Sequence, residues 1–201
     1  SWVQLGSDID GEAANDLTGF GLPISLNSDG TIVAIGAFKN DGNGADSGHV
    51  RVFQYGNNIW SQLGSDIDGE NVGDGFGYSV ALSGGGHLLS ISARFSDTNG
   101  TDSGSVYVYE FDGSSWSQLG DKITGLSANN QFGSRVDLSS DGSVMAASSW
   151  YANNKGHVRF FNISEDEIIE FGSTITGDNL NEYAGRGISL SGDGKVLAIG
   201  S

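Results

Sequence analysis

The chain has 201 residues, of which 33 are Gly, one is Pro and none is Cys. It carries 25 acidic and nine basic residues, a formal net charge of −16. This charge excludes nucleic acids and anionic membranes as expected partners, because affinity for phosphate groups comes from Lys and Arg, and the nine basic residues are scattered along the sequence. The lack of Cys excludes disulfides and thiol chemistry, and no apolar run has transmembrane length.

The sequence repeats itself. The segment that begins at Trp2 recurs at Trp60 and Trp116, and in degenerate form at Ile168. Between these segments, each copy has the same order of features. An alternating run (strand A) leads through a tight Asp-Gly or Gly-Gly turn to an apolar strand B, and then through a polar loop to strand C and the Trp-containing strand D. In the second copy, strand A places Phe76, Tyr78, Val80 and Leu82 on one face.

Four short antiparallel strands in about 56 residues are typical of one propeller blade. We therefore predict an all-β β-propeller with about 3.5 blades, as part of a larger ring or of an assembly of partial rings. The alternative is a linear β-solenoid built from the same units. The predicted blade segments are 1–5 (a closing strand D), 20–63, 76–119, 132–171 and a half blade at 184–201.

Some of these motifs resemble the FG-GAP repeat of integrin α-chain-type propellers. The resemblance rests on Phe20-Gly21, Phe76-Gly77 and Phe132-Gly133, together with apolar segments such as Ile35–Phe38 and Ile199-Gly200. It implies an extracellular or cell-surface protein with adhesive or structural roles. Calcium-binding members carry a long acidic loop between strands A and B. Here that connection is only a short turn, so their calcium site cannot be carried over.

The loop between strands B and C is a candidate calcium site. Oxygen ligands recur there with glycines that let the backbone curl around a hard cation. In the first copy they are Asp41, Asn43 and Asp46, and in the second Asp97, Asn99 and Asp102. The alternative is a simple turn, since Asp, Asn and Gly are also common turn residues, and the third copy lacks the acids.

Two N-glycosylation sequons are present, at Asn99 in the B–C loop of the second copy and at Asn162 after strand C of the third. A glycan on Asn99 would exclude a metal at the same residue. Trp150 and Tyr151 form a unique aromatic pair next to a loop, and we predict that they contact a ligand. The tryptophans that recur at the start of strand D are predicted to pack between blades, because Ile replaces them in the fourth copy.

No catalytic arrangement is predicted. The acids at Asp8, Asp10 and Glu12 recur at Asp66, Asp68 and Glu70, whereas an active site is normally unique. His49 and His157 are equivalent, but the second copy has Ser105 in their place, so no metal or catalytic role is predicted for them.

The sequence therefore predicts a non-enzymatic extracellular structural or adhesive module, a possible building block of a fibre or surface appendage, with calcium as the one candidate cofactor. Its expected partners are further copies in a homo-oligomer or filament, or surface proteins and glycans, without membrane insertion. The alternatives are a carbohydrate-binding propeller and, less favoured, a polysaccharide-active enzyme over the channel.

Overall fold

The computed structural model of the protein describes residues 1–20, 23–165 and 167–201. In these residues the chain forms strands β1 to β16 and one short 3₁₀ turn at Ala152–Asn154. The first sheet contains β1 (Ile24–Leu26), β2 (Ile32–Ala37), β3 (His49–Gly56), β4 (Ile59–Gln62) and β5 (Ile67–Asp68). The second contains β6 (Phe76–Leu82), β7 (Leu88–Ala93), β8 (Ser105–Phe111), β9 (Trp116–Gln118) and β10 (Ile123–Thr124). The third contains β11 (Arg135–Leu138), β12 (Val144–Ser149), β13 (His157–Ile163) and β14 (Ile168–Thr176), and β15 (Gly187–Leu190) pairs with β16 (Leu197–Gly200).

Each repeat forms its own antiparallel sheet, and strands A to D follow one another in chain order. In the first two sheets strand D is interrupted: β4 and β5 both pair with β3, and β9 and β10 both pair with β8. The third sheet has one long strand D, β14, with a register shift opposite Val158 and Phe160. Residues 1–5, predicted as a strand D, are not a strand in the structure.

The sheets pack face to face, and strand A of each blade lies beside strand A of the next. The tight turns after strand A are linked by main-chain hydrogen bonds: Ser28 N donates to Gly84 O (3.0 Å), Gly84 N to Ser140 O (2.7 Å) and Ser140 N to Gly192 O (2.8 Å). This chain of equivalent contacts follows the inner edge of a ring. The fold is a β-propeller, and the solenoid alternative is wrong because the strands pair within each repeat rather than between repeats.

The hydrophobic core lies in the seams between blades. Phe76, which opens β6, and Phe132, which precedes β11, are almost completely buried in the first and second seam. Around Phe76 the first seam holds side chains from both sheets, including Val50, Val52 and Leu89. A single sheet could not bury these residues, so the seams carry most of the hydrophobic stabilisation of the fold.

Two of the recurrent tryptophans pack as predicted, Trp116 in the first seam and Trp60 against the segment before the first blade, whereas the prediction is wrong for Trp2, which is fully exposed. Trp116 Nε1 donates to Leu63 O (2.9 Å), and its ring lies against Gly64. Trp60 makes the same bond to Leu5 O (2.9 Å) and lies against Gly6. Each of these two tryptophans therefore ties its strand D to the preceding strand D or its equivalent.

We expect Trp116→Phe to lower the free energy of unfolding by about 1–2 kcal/mol, because the partly buried Leu63 carbonyl loses its partner while most of the ring contact remains. Urea denaturation would measure the change. Trp60→Phe is the matched control, with a smaller loss expected because its hydrogen bond is exposed to water. Equal losses in the two variants would contradict this assignment.

In the described residues, no helix is long and apolar enough to cross a membrane.

Candidate anion site on the channel face

One face of the propeller combines the start of each strand A with the end of each strand B, as the pairing of Phe76 with Ala93 shows. The B–C loops and the D–A connectors lie on this face. Here the repeats are least alike. The residue that follows strand B is Phe38 in the first blade, Arg94 in the second and Trp150 in the third.

Arg94 is the centre of the candidate site. It is only 7% exposed. Its Nη1 donates to Tyr78 OH, and its Nη2 (2.6 Å) and Nε (3.2 Å) both donate to Gln131 Oε1. The guanidinium carbon lies 4.6 Å from the centre of the Tyr78 ring and 5.2 Å from that of Trp150. Hydrogen bonds and aromatic rings thus hold a buried cation in one orientation.

Two further arginines join Arg94, and we call the three residues the arginine cluster. Arg186 is exposed, and its guanidinium carbon lies 4.9 Å from the centre of the Trp150 ring. Arg135 is half-buried, and its Nη1 donates to Ser134 O (2.8 Å). Burial lowers the pKa of Arg135, Tyr78 opposes this shift, and repulsion from Arg94 and Arg186 lowers the pKa further.

The arginine cluster has no ion-pair partner in the described part of the chain. No carboxylate oxygen lies within 4.0 Å of any of its three guanidinium groups, although Arg51 and Arg159 have such partners elsewhere. The cluster holds three of the nine basic residues of a chain with net charge −16. Uncompensated positive charge is therefore gathered on one face of a strongly acidic protein.

Polar and aromatic groups surround these charges. A surface depression of about 310 Å³ is lined by Arg94, Asn129, Gln131, Tyr151 and Asn154. The Trp150 and Tyr151 rings are 4.8 Å apart, and the buried Trp150 Nε1 has no hydrogen-bond partner in the described residues. Guanidinium groups bind carboxylates and phosphates through paired hydrogen bonds. This arrangement can thus bind an anionic group beside a flat apolar surface.

The predicted aromatic contact, Trp150 and Tyr151, belongs to this site. Trp150 is partly buried and Tyr151 is 42% exposed. The sequence did not reveal the arginines beside them, which come from three blades and were counted as scattered. The repeat did contain a signal, because aligned positions hold different residues in different copies. Arg186 aligns with Tyr78 and Ser134, and Arg94 aligns with Phe38 and Trp150.

The predicted calcium loops are closed by their own hydrogen bonds. Asp41 Oδ1 accepts from Asp46 N, and Asp97 Oδ1 accepts from Asp102 N, both at 2.8 Å. Asp46 also lies 3.7 Å from Lys39 Nζ. The Asn43 side chain donates to Gly69 O (2.8 Å). These contacts fasten each loop to the following connector, and calcium binding there stays a prediction.

The two sequons differ in their setting. Asn99 is exposed, and its Nδ2 donates to Gly125 O (2.8 Å). Asn162 is also exposed but lies within β13, where it pairs with Val144 and Ile169, rather than after strand C as predicted. Glycosylation at either residue stays a prediction.

Comparison with known proteins supports the resemblance seen in the sequence and the fold. Residues 67–109 match the FG-GAP repeat family, which confirms the resemblance seen in the sequence. No curated protein matches the chain. Among solved structures, a candidate 6-phosphogluconolactonase from Bacteroides uniformis is similar to it, with 16% identity, a TM-score of 0.59, and 88% of this chain and 46% of that chain covered. A second one, from Bacteroides fragilis, has 15% identity, a TM-score of 0.54, and 77% and 38% covered.

These comparisons correct the predicted function. We expected a non-enzymatic structural or adhesive module, with a carbohydrate-binding propeller as the alternative, but the similar propellers are named as candidate enzymes. That prediction is wrong, and repetition of the blade is no argument against a unique site. At these identities the similarity shows the fold alone, and this chain spans less than half the length of either protein.

Proposed function

We propose that the channel face of this propeller binds a small organic anion, with its carboxylate or phosphate group on the arginine cluster. The observation that carries the proposal is that Arg94 and Arg186 both lie over the partly buried Trp150, with the charge of Arg135 nearby, and that none of the three has a carboxylate partner in the described residues. The strongly negative chain repels anions elsewhere, so binding would concentrate at this face. An extracellular location and association with further copies are not needed for this function and stay predictions.

The names of the two similar structures suggest the first ligand to test. A 6-phosphogluconolactonase acts on a phosphorylated sugar lactone, whose product carries both a phosphate and a carboxylate. Such a ligand would offer two anionic groups to the arginine cluster and a polar carbon chain to the neighbouring rings. The more specific form of the proposal is that this site also hydrolyses such a lactone.

Calorimetric titration with 6-phosphogluconate tests the binding, with glucose as the uncharged comparison. Arg186→Ser introduces the residue that the third blade carries at this position, Ser134. We expect the variant to bind roughly tenfold to hundredfold more weakly, because one charge-assisted contact is worth about 1.5–3 kcal/mol. Lys195→Ser is the control, since it removes one exposed positive charge outside the site.

Unchanged affinity in Arg186→Ser, or equal affinity for glucose, would contradict the proposal. The rate of proton release from 6-phosphogluconolactone distinguishes lactone hydrolysis from binding alone. Hydrolysis faster than the spontaneous reaction, and reduced in Arg186→Ser, would indicate an enzyme. Tight binding without faster hydrolysis would indicate a binding propeller.

A further inference from the structure

A second group of polar side chains lies on the flank of the first blade that faces the preceding segment, away from the arginine cluster. Glu12 precedes the first blade, His49 begins β3, and Asp66 lies between β4 and β5. Their ligand atoms all lie within 4.8 Å of one another, and in the described residues this is the one group of three or more His, Asp or Glu side chains with that property. It differs from the acidic B–C loops predicted from the sequence.

The imidazole of His49 is the informative member. His49 is 1% exposed, and its ring makes no hydrogen bond within the described residues. Nδ1 faces Glu12 Oε2 at 3.7 Å, which is beyond hydrogen-bond distance, and Nε2 is buried without a partner. A buried polar ring without partners is costly. A ligand between Nδ1 and the carboxylates would remove part of that cost.

The first seam, between the first and second blades, shows what occupies this place in the second blade. The equivalent residues there are Glu70, Ser105 and Lys122. Lys122 Nζ lies 2.7 Å from Glu70 Oε2 and 5.6 Å from the centre of the Tyr107 ring. A side-chain cation therefore sits against the connector glutamate. In the first blade, Asp66 replaces that lysine, and a second carboxylate stands where the positive charge was.

The contacts of the neighbouring residues leave several oxygen and nitrogen atoms available to bind an added cation. Arg51, which replaces Tyr107, lies 3.7 Å from the other Glu12 oxygen, Oε1, and donates to Asp10 O (2.6 Å). Asp66 Oδ1 accepts from Gln62 Nε2 (2.6 Å). Glu12 Oε2, the second Asp66 oxygen and His49 Nδ1 remain available as ligands.

We propose that Glu12, His49 and Asp66 bind a divalent transition-metal ion, which takes the place that Lys122 Nζ occupies in the second blade. One imidazole nitrogen with two carboxylates suits Zn²⁺ or Mn²⁺, whereas Ca²⁺ prefers oxygen ligands alone. Metal–ligand distances of about 2.0–2.2 Å place tetrahedral ligand atoms roughly 3.4 Å apart. The two carboxylates, which are not buried, would have to turn inward by about an ångström.

The third blade provides a comparison within the same chain. It repeats the buried histidine as His157, but the residues equivalent to Glu12 and Asp66 are Leu126 and Thr174. A histidine without two carboxylates does not form this donor set. One metal ion per chain is therefore expected, and not one for each buried histidine.

Calorimetric titration of the whole chain with Zn²⁺ tests the proposal, and the absorption spectrum of added Co²⁺ reports the coordination by nitrogen and oxygen. His49→Ser and Asp66→Lys introduce the residues of the second blade. We expect both to weaken Zn²⁺ binding at least tenfold. Asp66→Lys recreates an ion pair that the fold already contains, so it remains informative if His49→Ser does not fold.

His87→Ser is the matched control, because His87 is an exposed histidine outside the group, and its Zn²⁺ affinity should equal that of the unaltered chain. Absence of Zn²⁺ binding, or unchanged affinity in Asp66→Lys, would overturn the site. Displacement of Zn²⁺ by an equal concentration of Ca²⁺ would overturn the assigned class of metal.

Discussion

Gly104→Ala is expected to destabilise the protein by more than about 4 kcal/mol, a loss that only a few mechanisms produce in a single substitution. Gly104 has φ +81°, and a Cβ added there would overlap the main-chain oxygen and nitrogen of Phe132 and lie 2.9 Å from the Gln131 carbonyl carbon. The two segments form a bridge across the second seam. Because the obstructing atoms are backbone atoms, no change of rotamer can relieve the overlap, and the seam would have to open.

Gly113→Ala separates this effect from the cost of a positive φ. Gly113 has φ +100°, but no atom lies within 4 Å of its added Cβ. Its replacement should cost about 1 kcal/mol, through backbone strain alone. Guanidinium or urea unfolding of the two variants gives the comparison. Similar losses would show that the close approach of Gly104 to Phe132 does not hold the seam together.

The same glycine illustrates how far the sequence could predict the fold. Gly48, Gly104 and Gly156 precede strand C in the first three copies, and each would place a Cβ against the main chain of the next blade. The repeat shows that a glycine is needed there, but not why, because the obstructing atoms come from another copy. Strand A of the second copy, by contrast, was predicted at its observed bounds, since its alternation and following turn are local signals.

The candidate sites were harder to predict than the blades, for a physical reason. Arg94, Arg135 and Arg186 come together only because strands A of successive blades lie side by side. In the sequence they are separated by 41 and 51 positions, and no periodicity marks them. The informative signal is a set of equivalent positions that hold different residues in different copies. Residues that recur in every copy indicate packing. Positions at which the copies differ indicate a role that is specific to one blade.

The connector acids show the same limit. Their recurrence predicted a solvated rim, and most of them are exposed. However, the partner of each acid depends on its neighbour in the adjacent blade. Glu70 pairs with Lys122, whereas its equivalent Glu12 faces His49 and Arg51. One repeated residue therefore has a different electrostatic role in each seam.

His157 is expected to make the protein less stable in mild acid. His157 is 6% exposed, and its Nε2 has no hydrogen-bond partner in the described residues. Burial, and then repulsion from Arg159, lower the pKa of His157 to about 4, and Glu170 opposes the shift. The ordinary pKa of His is about 6.5. The folded protein thus holds this ring neutral, while the unfolded chain binds a proton more readily.

The sign of the effect follows from this difference. Because the folded pKa is the lower one, the contribution of His157 to stability is complete above about pH 6.5 and is lost as the pH falls towards 4. The difference between the ordinary pKa of 6.5 and the pKa of about 4 in the folded protein corresponds to about 3 kcal/mol at most. Ser105 occupies the equivalent position in the second blade, so His157→Ser should fold and remove this titration.

Urea denaturation of both proteins between pH 7.5 and pH 4 measures the difference. The stability advantage of the unaltered chain over His157→Ser should shrink by about 2–3 kcal/mol across this range. Carboxylates such as Asp74, whose pKa burial raises, titrate in both proteins and cancel in the comparison. His87→Ser, which alters an exposed histidine, should leave the pH profile unchanged. Parallel profiles for the unaltered chain and His157→Ser would show that the second seam accepts a charged imidazole, and the buried ring would then have to be hydrated.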